Sequence, residues 1–198
     1  SLGLPHIGYY VDSKETMQRS LRHAFWTGTG WNIQTIGDPE EPGNVADINY
    51  PFMSWYISLA LDSNDLPHLV YGDGDTVRYA HWTGDDWNIQ VVDDWGSGWY
   101  VSIALDDSNY PYISYRDTID RFEARSSYGG LKVARWTGTD WDIQIVDSGG
   151  SVGLPGITTD SKGNPHISYP TYYGVQYAHW VDGVWEIQTV AETQEVIW

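Results

Sequence analysis

Aromatic side chains gather in a few segments of this sequence, with carboxylates close by. Trp and Tyr rings stack on the C–H faces of sugars, while Asp and Asn side chains exchange hydrogen bonds with hydroxyl groups. Exposed rings of this kind also mark a protein contact or cover the end of a fold. We therefore predict a binding surface for a glycan or a protein ligand, and its candidate residues are Trp55, Trp95, Trp99, Tyr100, Tyr128, Tyr172 and Tyr173.

All six histidines occupy repeated positions in the chain. His6, His68 and His166 each follow a proline, and three imidazoles brought together would suit a transition metal. The fourth copy of this position is Tyr112, which would break such a ligand set. We expect the histidines to be structural and predict no metal centre.

Three Asp-rich clusters alternate oxygen-bearing side chains, which are the ligands that calcium uses. They lack the acidic spacing of a dedicated calcium loop, and Asp or Ser at such positions caps a tight turn. We therefore predict turns and no cofactor, with calcium as the alternative. The clusters are Asp62–Asp65, Asp106–Asn109 and Asp160–Gly163.

No pairing of a nucleophile with a base stands out, so we predict a protein without enzymatic activity. The main group of cations lies in Arg116–Arg125, where arginines alternate with acids. That pattern is typical of a solvated ion-pair loop or of a contact with an acidic neighbour. The acid-rich loops leave a glycoside hydrolase as an alternative, since such enzymes act through paired carboxylates.

A short sequence motif, called the phrase below, occurs four times in the chain and must position these residues. Each copy begins with Trp, passes through a four-residue turn and ends in Trp-x-Ile-Gln, as in Trp82–Gln90. The copies recur at roughly 50 residues, a period typical of propellers and solenoids. The other copies are Trp26–Gln34, Trp136–Gln144 and Trp180–Gln188.

Each copy lies within a predicted unit of four strands. Apolar and polar residues alternate on both sides of the tryptophan turn, and a segment such as Tyr56–Ser63 follows as the last strand of the unit. This pattern predicts an all-β fold: one β-propeller domain of four tandem repeats, preferred over a β-sandwich. The predicted repeats are residues 4–63, 64–107, 108–161 and 162–198.

The connections between the predicted strands differ in how much their length varies. Segments such as Val11–Ser20 and Arg116–Gly130 vary in length and open at one end of the unit. The tryptophan turns keep their length and open at the other end. Because variable loops on a rigid scaffold tend to carry function, we place the predicted binding surface at the variable end.

The phrases together resemble a known kind of repeat. The composite Asp-Ser-x-Gly-x-Pro-His-Ile-Ser-Tyr followed by Tyr-Ala-His-Trp is most complete across Asp160–Gln188. It is similar to repeats of secreted bacterial and archaeal β-propeller proteins, and more distantly to the Asp-box propellers of sialidases and to propeller lectins. The Asp box is only echoed, as in Thr83–Trp87, and no three arginines mark a sialidase site, so the resemblance implies a fold and no catalytic residue.

Counting the predicted strands leaves one blade incomplete, either the first or the last. Fifteen strands serve four blades, unless the tail Glu195–Trp198 supplies another. The four blades form either a closed ring or part of a larger ring or assembly. An unpaired edge is a template for a second chain, so we predict a possible homo-oligomer, formed by strand donation, by dimeric closure into a larger ring or by head-to-tail polymerisation.

Composition limits the partners further. The formal net charge is −17, which repels nucleic acid and anionic membranes, and no apolar run is long enough to insert into a bilayer. The chain has no cysteine, and it begins at Ser1 as a processed secreted protein would. We expect an extracellular or cell-surface location.

These observations favour a non-enzymatic extracellular propeller that binds a glycan or a protein through its aromatic variable-loop face. The alternative is a self-assembling structural protomer of a surface layer or extracellular fibre. The second alternative is the glycoside hydrolase.

Overall fold

A computed structural model of the protein describes residues 3–12, 19–37, 56–73, 76–94, 98–117, 129–149 and 152–192. These residues form fifteen strands in four antiparallel sheets. Blade one contains β1 (His6–Asp12), β2 (Arg19–Trp26) and β3 (Trp31–Ile36). Blade two contains β4 (Ile57–Leu61), β5 (Pro67–Asp73), β6 (Thr76–Trp82) and β7 (Trp87–Asp93). Blade three contains β8 (Trp99–Leu105), β9 (Pro111–Arg116), β10 (Leu131–Trp136) and β11 (Trp141–Asp147). Blade four contains β12 (Gly156–Thr159), β13 (Pro165–Thr171), β14 (Gly174–Val181) and β15 (Val184–Glu192).

This architecture confirms the predicted all-β propeller of four blades and corrects the order of strands within a repeat. The strand predicted to end each repeat is the first strand of the next blade, because β4 pairs with β5 and not with β3. A tight turn after Leu61, closed by the Asp62 amide donating to the Leu66 carbonyl, makes these two strands a hairpin. Blade one has three strands in the part of the chain described, so it is the incomplete blade there.

The blades stack face to face in chain order. β8 contacts both β4 and β12 across neighbouring blades, and these three are therefore the innermost strands. One apolar cluster lies between each pair of consecutive blades, and burial of these side chains is the main favourable contribution to stacking. The clusters are centred on Leu21 with Leu69, on Val70 with Ile113, and on Leu131 with Ile167.

The antiparallel order gives every blade two different ends. The tryptophan turns and the Asp-rich turns lie at one end, the turn end, while the connections of variable length lie at the other, the loop end. At the turn end the two tryptophans of each phrase are cross-strand partners, as Trp82 is with Trp87, and their ring centroids lie 5.2 to 5.5 Å apart. Gly84 has a φ of 104°, in the left-handed region that this turn requires and that glycine adopts without strain.

The Asp-rich clusters are turns, as predicted. Asp62 Oδ1 accepts hydrogen bonds from the amides of Asn64 and Leu66, both at 2.8 Å. Asp106 and Asp160 hold their turns through the same pair of bonds. These bonds account for the recurrence of Asp at the start of each turn through backbone capping. Within the described ranges, no helix has the length and apolar character needed to cross a membrane.

Candidate functional site

An open cleft lies between blades three and four at the turn end. It consists of two adjoining cavities of about 160 and 200 Å³, both bordered by Tyr112, Arg135 and Trp180. Each is smaller than the roughly 300–1,000 Å³ of a pocket for a drug-sized molecule, so the cleft suits a compact ring. The first cavity is also bordered by Val133, Asp142, Gln144, Pro165 and Trp185.

Val133 explains why this cleft is open. The equivalent position is His23 in blade one and Tyr79 in blade two, and each of these rings meets the tryptophan of the following blade edge-on, with centroids 5.4 and 5.3 Å apart. Those rings fill the space between blades one and two and between blades two and three. The Val133 side chain has no ring to fill the equivalent space between blades three and four. Trp185 therefore lies beside a cavity, where the tryptophans of blades two and three contact an aromatic ring.

Hydrogen bonds fix one wall of the cleft. Trp185 Nε1 donates to Gln144 Oε1 at 2.9 Å, and Gln144 Nε2 donates to Asp142 Oδ2 at 2.8 Å. The amide is thus held by both of its ends, and the exposed Asp142 carboxylate keeps further acceptor capacity. This wall presents an indole surface beside a hydrogen-bond acceptor.

Arg135 supplies hydrogen-bond donors to both cavities of the cleft. Its guanidinium carbon lies 5.3 Å from the centroid of the Tyr112 ring, a cation–π contact that orients the fork. Arg135 is exposed and makes no ion pair within the described residues, so its five N–H donors remain available to a ligand. Burial raises the pKa of Tyr112, which keeps its hydroxyl neutral.

The predicted binding residues Trp99 and Tyr100 lie at the loop end of blade three. Tyr100 has a φ of 56° at a bulge between Trp99 and Ser102. Its half-buried ring lies 4.5 Å from the Tyr56 ring and 5.7 Å from the Arg116 guanidinium. Tyr100 is therefore packed into the blade, with Trp99 against it at 6.3 Å.

Tyr172 and Tyr173 form a second predicted pair, at the loop end of blade four. Their rings meet edge-on at 5.3 Å and are 43% and 73% exposed, which makes them the more accessible aromatics of the predicted surface. The structure places both pairs at the loop end, and their role in binding stays a prediction. Trp55, Trp95 and Tyr128 lie outside the described residues.

Most histidine contacts lie within one blade, although His23 also meets Trp87 of the next blade. His68 Nδ1 is hydrogen-bonded to the Tyr79 hydroxyl and its ring stacks on His81, with centroids 5.6 Å apart. His166 makes the same bond to Tyr177 at 2.5 Å. This repeated contact explains why histidine recurs after the proline of these strands.

Burial of His68 makes the stability of the fold sensitive to acid. Burial lowers the pKa of His68 to about 4, against 6.5 for an exposed histidine, and burial also lowers the pKa of His23 and His81. The unfolded chain therefore binds a proton that the fold excludes, so stability is full above about pH 6.5 and falls as the pH drops towards 4. We expect His68 alone to account for about 3 kcal/mol of that fall.

Urea unfolding at several pH values between about 7 and 4.5 measures this loss. His68→Asn keeps a hydrogen-bonding group and removes the titration, so its free energy of unfolding should vary less with pH than that of the wild type. An equally steep pH dependence in the variant would contradict the assignment to His68.

Comparisons with known proteins extend the description of the fold. No protein-family model matches the sequence, and no curated protein matches it. A GH43 protein from Bacillus licheniformis matches the structure with a TM-score of 0.53 at 10% identity, covering 98% of this chain and 42% of that protein. A fucose lectin from Kordia zhangzhouensis, solved with methyl-fucoside, matches with a TM-score of 0.48 at 16% identity, covering 70% of this chain and all of the lectin. The SapL1 lectin in complex with alpha methyl fucoside matches with a TM-score of 0.34 at 14% identity, covering 98% of this chain and 79% of the lectin.

The likeness to the GH43 protein agrees with the propeller fold of this chain. A fold shared at this level of identity does not fix the function, because one fold hosts many functions. The choice among them has to come from the chemistry of the site itself.

Proposed function

We propose that the protein is a non-enzymatic, extracellular or cell-surface propeller that binds a glycan, with one sugar ring seated in the cleft between blades three and four. The observation that carries this proposal is the set of groups around one small cavity: two indoles, an unpaired guanidinium, and an amide bonded to a carboxylate.

Each of these groups has a counterpart on a sugar. The edge-on pair of Trp180 and Trp185, with centroids 5.3 Å apart, offers ring surface to the C–H face of a pyranose. The Arg135 fork donates to ring hydroxyls, while Asp142 accepts from them. A neutral polyol can pair with both the Arg135 donors and the Asp142 acceptor, whereas a purely anionic ligand would be repelled by the Asp142 carboxylate.

The loop-end aromatics are the rival location for the same function. Tyr173 is the most exposed of the described candidates, and it lies at the opposite end of the blades from Arg135. Variants at these two places therefore separate the two sites while testing one function.

A glycan array probed with the labelled protein tests the proposal, followed by titration calorimetry with the best ligand. We expect Arg135→Ala to weaken binding about 30-fold or more, because removing a central anchor of an interface commonly costs about 2 kcal/mol. Tyr173→Ala should leave binding within about threefold. The reverse result would move the site to the loop end, and no binding to any glycan would contradict the function.

Hydrolysis of aryl glycosides separates this function from the enzyme alternative. We expect no release of the aryl group by the purified protein at any pH between about 4 and 8. Turnover that is lost on mutation of a cleft carboxylate, Asp142→Asn, would make the protein a glycosidase instead.

A further inference from the structure

Every blade has two different faces, and the three internal contacts between blades use them in the same way. We call the face turned to the previous blade the leading face, and the face turned to the next blade the trailing face. Leu69 on the leading face of blade two packs with Leu21 on the trailing face of blade one. Ile113 packs with Val77, and Ile167 with Leu131, in the same manner. The repeat thus carries both halves of one interface.

The leading face of blade one has no blade against it in the described structure. Ile7 occupies the position of Leu69, Ile113 and Ile167, which are fully buried, yet it is 47% exposed. Trp31 is likewise 47% exposed, while the second tryptophans of the other three phrases are half-buried. Blade one therefore exposes the positions that the other blades cover.

The trailing face of blade four is the opposite half. Val175 is 40% exposed, although its equivalents Leu21, Val77 and Leu131 are fully buried. Val190 is 66% exposed, against 1, 5 and 8% for the residues at its position in the earlier blades, which are Ile36, Val92 and Val146. Both ends of the stack thus expose apolar side chains that the fold elsewhere buries.

At two of the three internal contacts a hydrogen bond also joins the leading face of one blade to the trailing face of the previous blade. Trp141 Nε1 donates to Gln90 Oε1 of the previous blade at 3.1 Å, and Trp185 repeats this bond with Gln144. Trp31 is the equivalent donor in blade one, which has no previous blade. Gln188 is the equivalent acceptor in blade four, which has no following blade; it is exposed, whereas Gln34, Gln90 and Gln144 are half-buried.

Charge divides between the two faces as well. Lys132 reaches from blade three to Asp93 of blade two, with Nζ 3.2 Å from Oδ2. Arg22 holds the position of Lys132 in blade one, and its buried Nε has no hydrogen-bond partner among the described residues. On the trailing face of blade four, β15 ends at the exposed Glu192, one residue beyond the position equivalent to Asp93. The leading face of blade one thus carries a cation, and the trailing face of blade four carries an acid.

We propose that a second copy of this chain docks its blade one on blade four of the first copy, repeating the internal contact between blades. The leading face of blade one and the trailing face of blade four should be complementary, because leading and trailing faces already pack together at three places within the chain. Two such contacts, one at each end, close a ring of eight blades, within the usual range of about four to eight. A head-to-tail contact closes when its rotation completes a circle.

The experiment measures the molar mass of the full chain by light scattering, without glycan, so its outcome is independent of the proposed function. We expect about 45 kDa, twice the 22.4 kDa of one chain. Ile7→Asp on the leading face and Val190→Asp on the trailing face should each reduce the mass to that of one chain. Ile145→Asp is the matched control, because Ile145 is 65% exposed on a blade that already has both neighbours, and it should leave the mass unchanged.

Mixing the two variants gives the sharpest result. The intact trailing face of Ile7→Asp meets the intact leading face of Val190→Asp, so the mixture should regain a mass of about 45 kDa with one contact in place of two. Circular dichroism confirms that each variant is folded. A single-chain mass for the wild type at all concentrations, dimers that survive both substitutions, or open polymers in place of a dimer would each overturn the proposal.

Discussion

Val133→Tyr should abolish glycan binding while the protein stays folded. The cleft exists because blade three carries a valine where blade two carries Tyr79, and the Tyr79 ring fills the equivalent space against Trp141. A tyrosine at position 133 would extend into the cavity of about 160 Å³ beside Trp185. The sugar ring and the new side chain would then compete for the same volume.

The expected loss is larger than that of any single polar contact in the cleft. Removing one anchor leaves the cavity open, whereas filling it excludes the ligand, so binding should fall at least 100-fold, or about 2.7 kcal/mol. Titration calorimetry against the best array ligand measures the change. Unaltered affinity in a folded Val133→Tyr variant would show that the ligand binds elsewhere.

Val133→Ala is the matched control for this substitution. It shortens the same side chain, which is 3% exposed, and widens the cavity without blocking it. The truncation should lower the free energy of unfolding by about 1 kcal/mol and leave affinity within a few fold. Loss of binding in both variants would instead indicate that the site depends on the packing of the blades.

The sequence was sufficient to predict the hairpins but not the pairing between them. Alternating residues around Trp82 and Trp87 define a hairpin locally, because a short turn leaves the two strands only one way to meet. A segment such as Tyr56–Ser63 has strand neighbours on both sides in sequence, and alternation does not say which it pairs with. The Asp62 turn decides this, since its side chain holds the hairpin with the following strand.

The cleft could not be predicted from any single repeat. Its walls come from two blades, and it opens because one copy departs from the others at Val133 and Arg135. Comparing the four copies position by position carries that signal, as both residues replace aromatic side chains of blades one and two. The prediction from aromatic loops identified a different end of the blades, where Tyr100 proves to be packed against Tyr56.

Lys132→Met should strongly destabilise the fold, because it removes one partner of a buried ion pair. Lys132 Nζ lies 3.2 Å from Asp93 Oδ2 and 3.3 Å from Asp117 Oδ2, and all three side chains are at most 16% exposed. The Tyr115 hydroxyl donates to the same Asp93 oxygen at 2.8 Å, and burial holds the pKa of Tyr115 above its usual range, so this donor stays protonated. Methionine keeps the packing of the lysine stem and removes the Lys132 charge from two largely buried carboxylates.

Removing one partner from a buried ion pair costs about 3–5 kcal/mol, a large share of the roughly 5–15 kcal/mol that stabilises a typical domain. Urea unfolding followed by tryptophan fluorescence should show this as a lower midpoint at an unchanged slope. Adding Asp93→Asn to Lys132→Met removes one of the two carboxylate charges, while the Tyr115 hydroxyl keeps an oxygen to donate to. The double variant should therefore be more stable than Lys132→Met alone. Lys162→Met, at an exposed lysine in a turn, should change stability by less than about 0.5 kcal/mol. A loss below about 1 kcal/mol for Lys132→Met would mean that water screens the pair and that apolar packing alone holds blades two and three together.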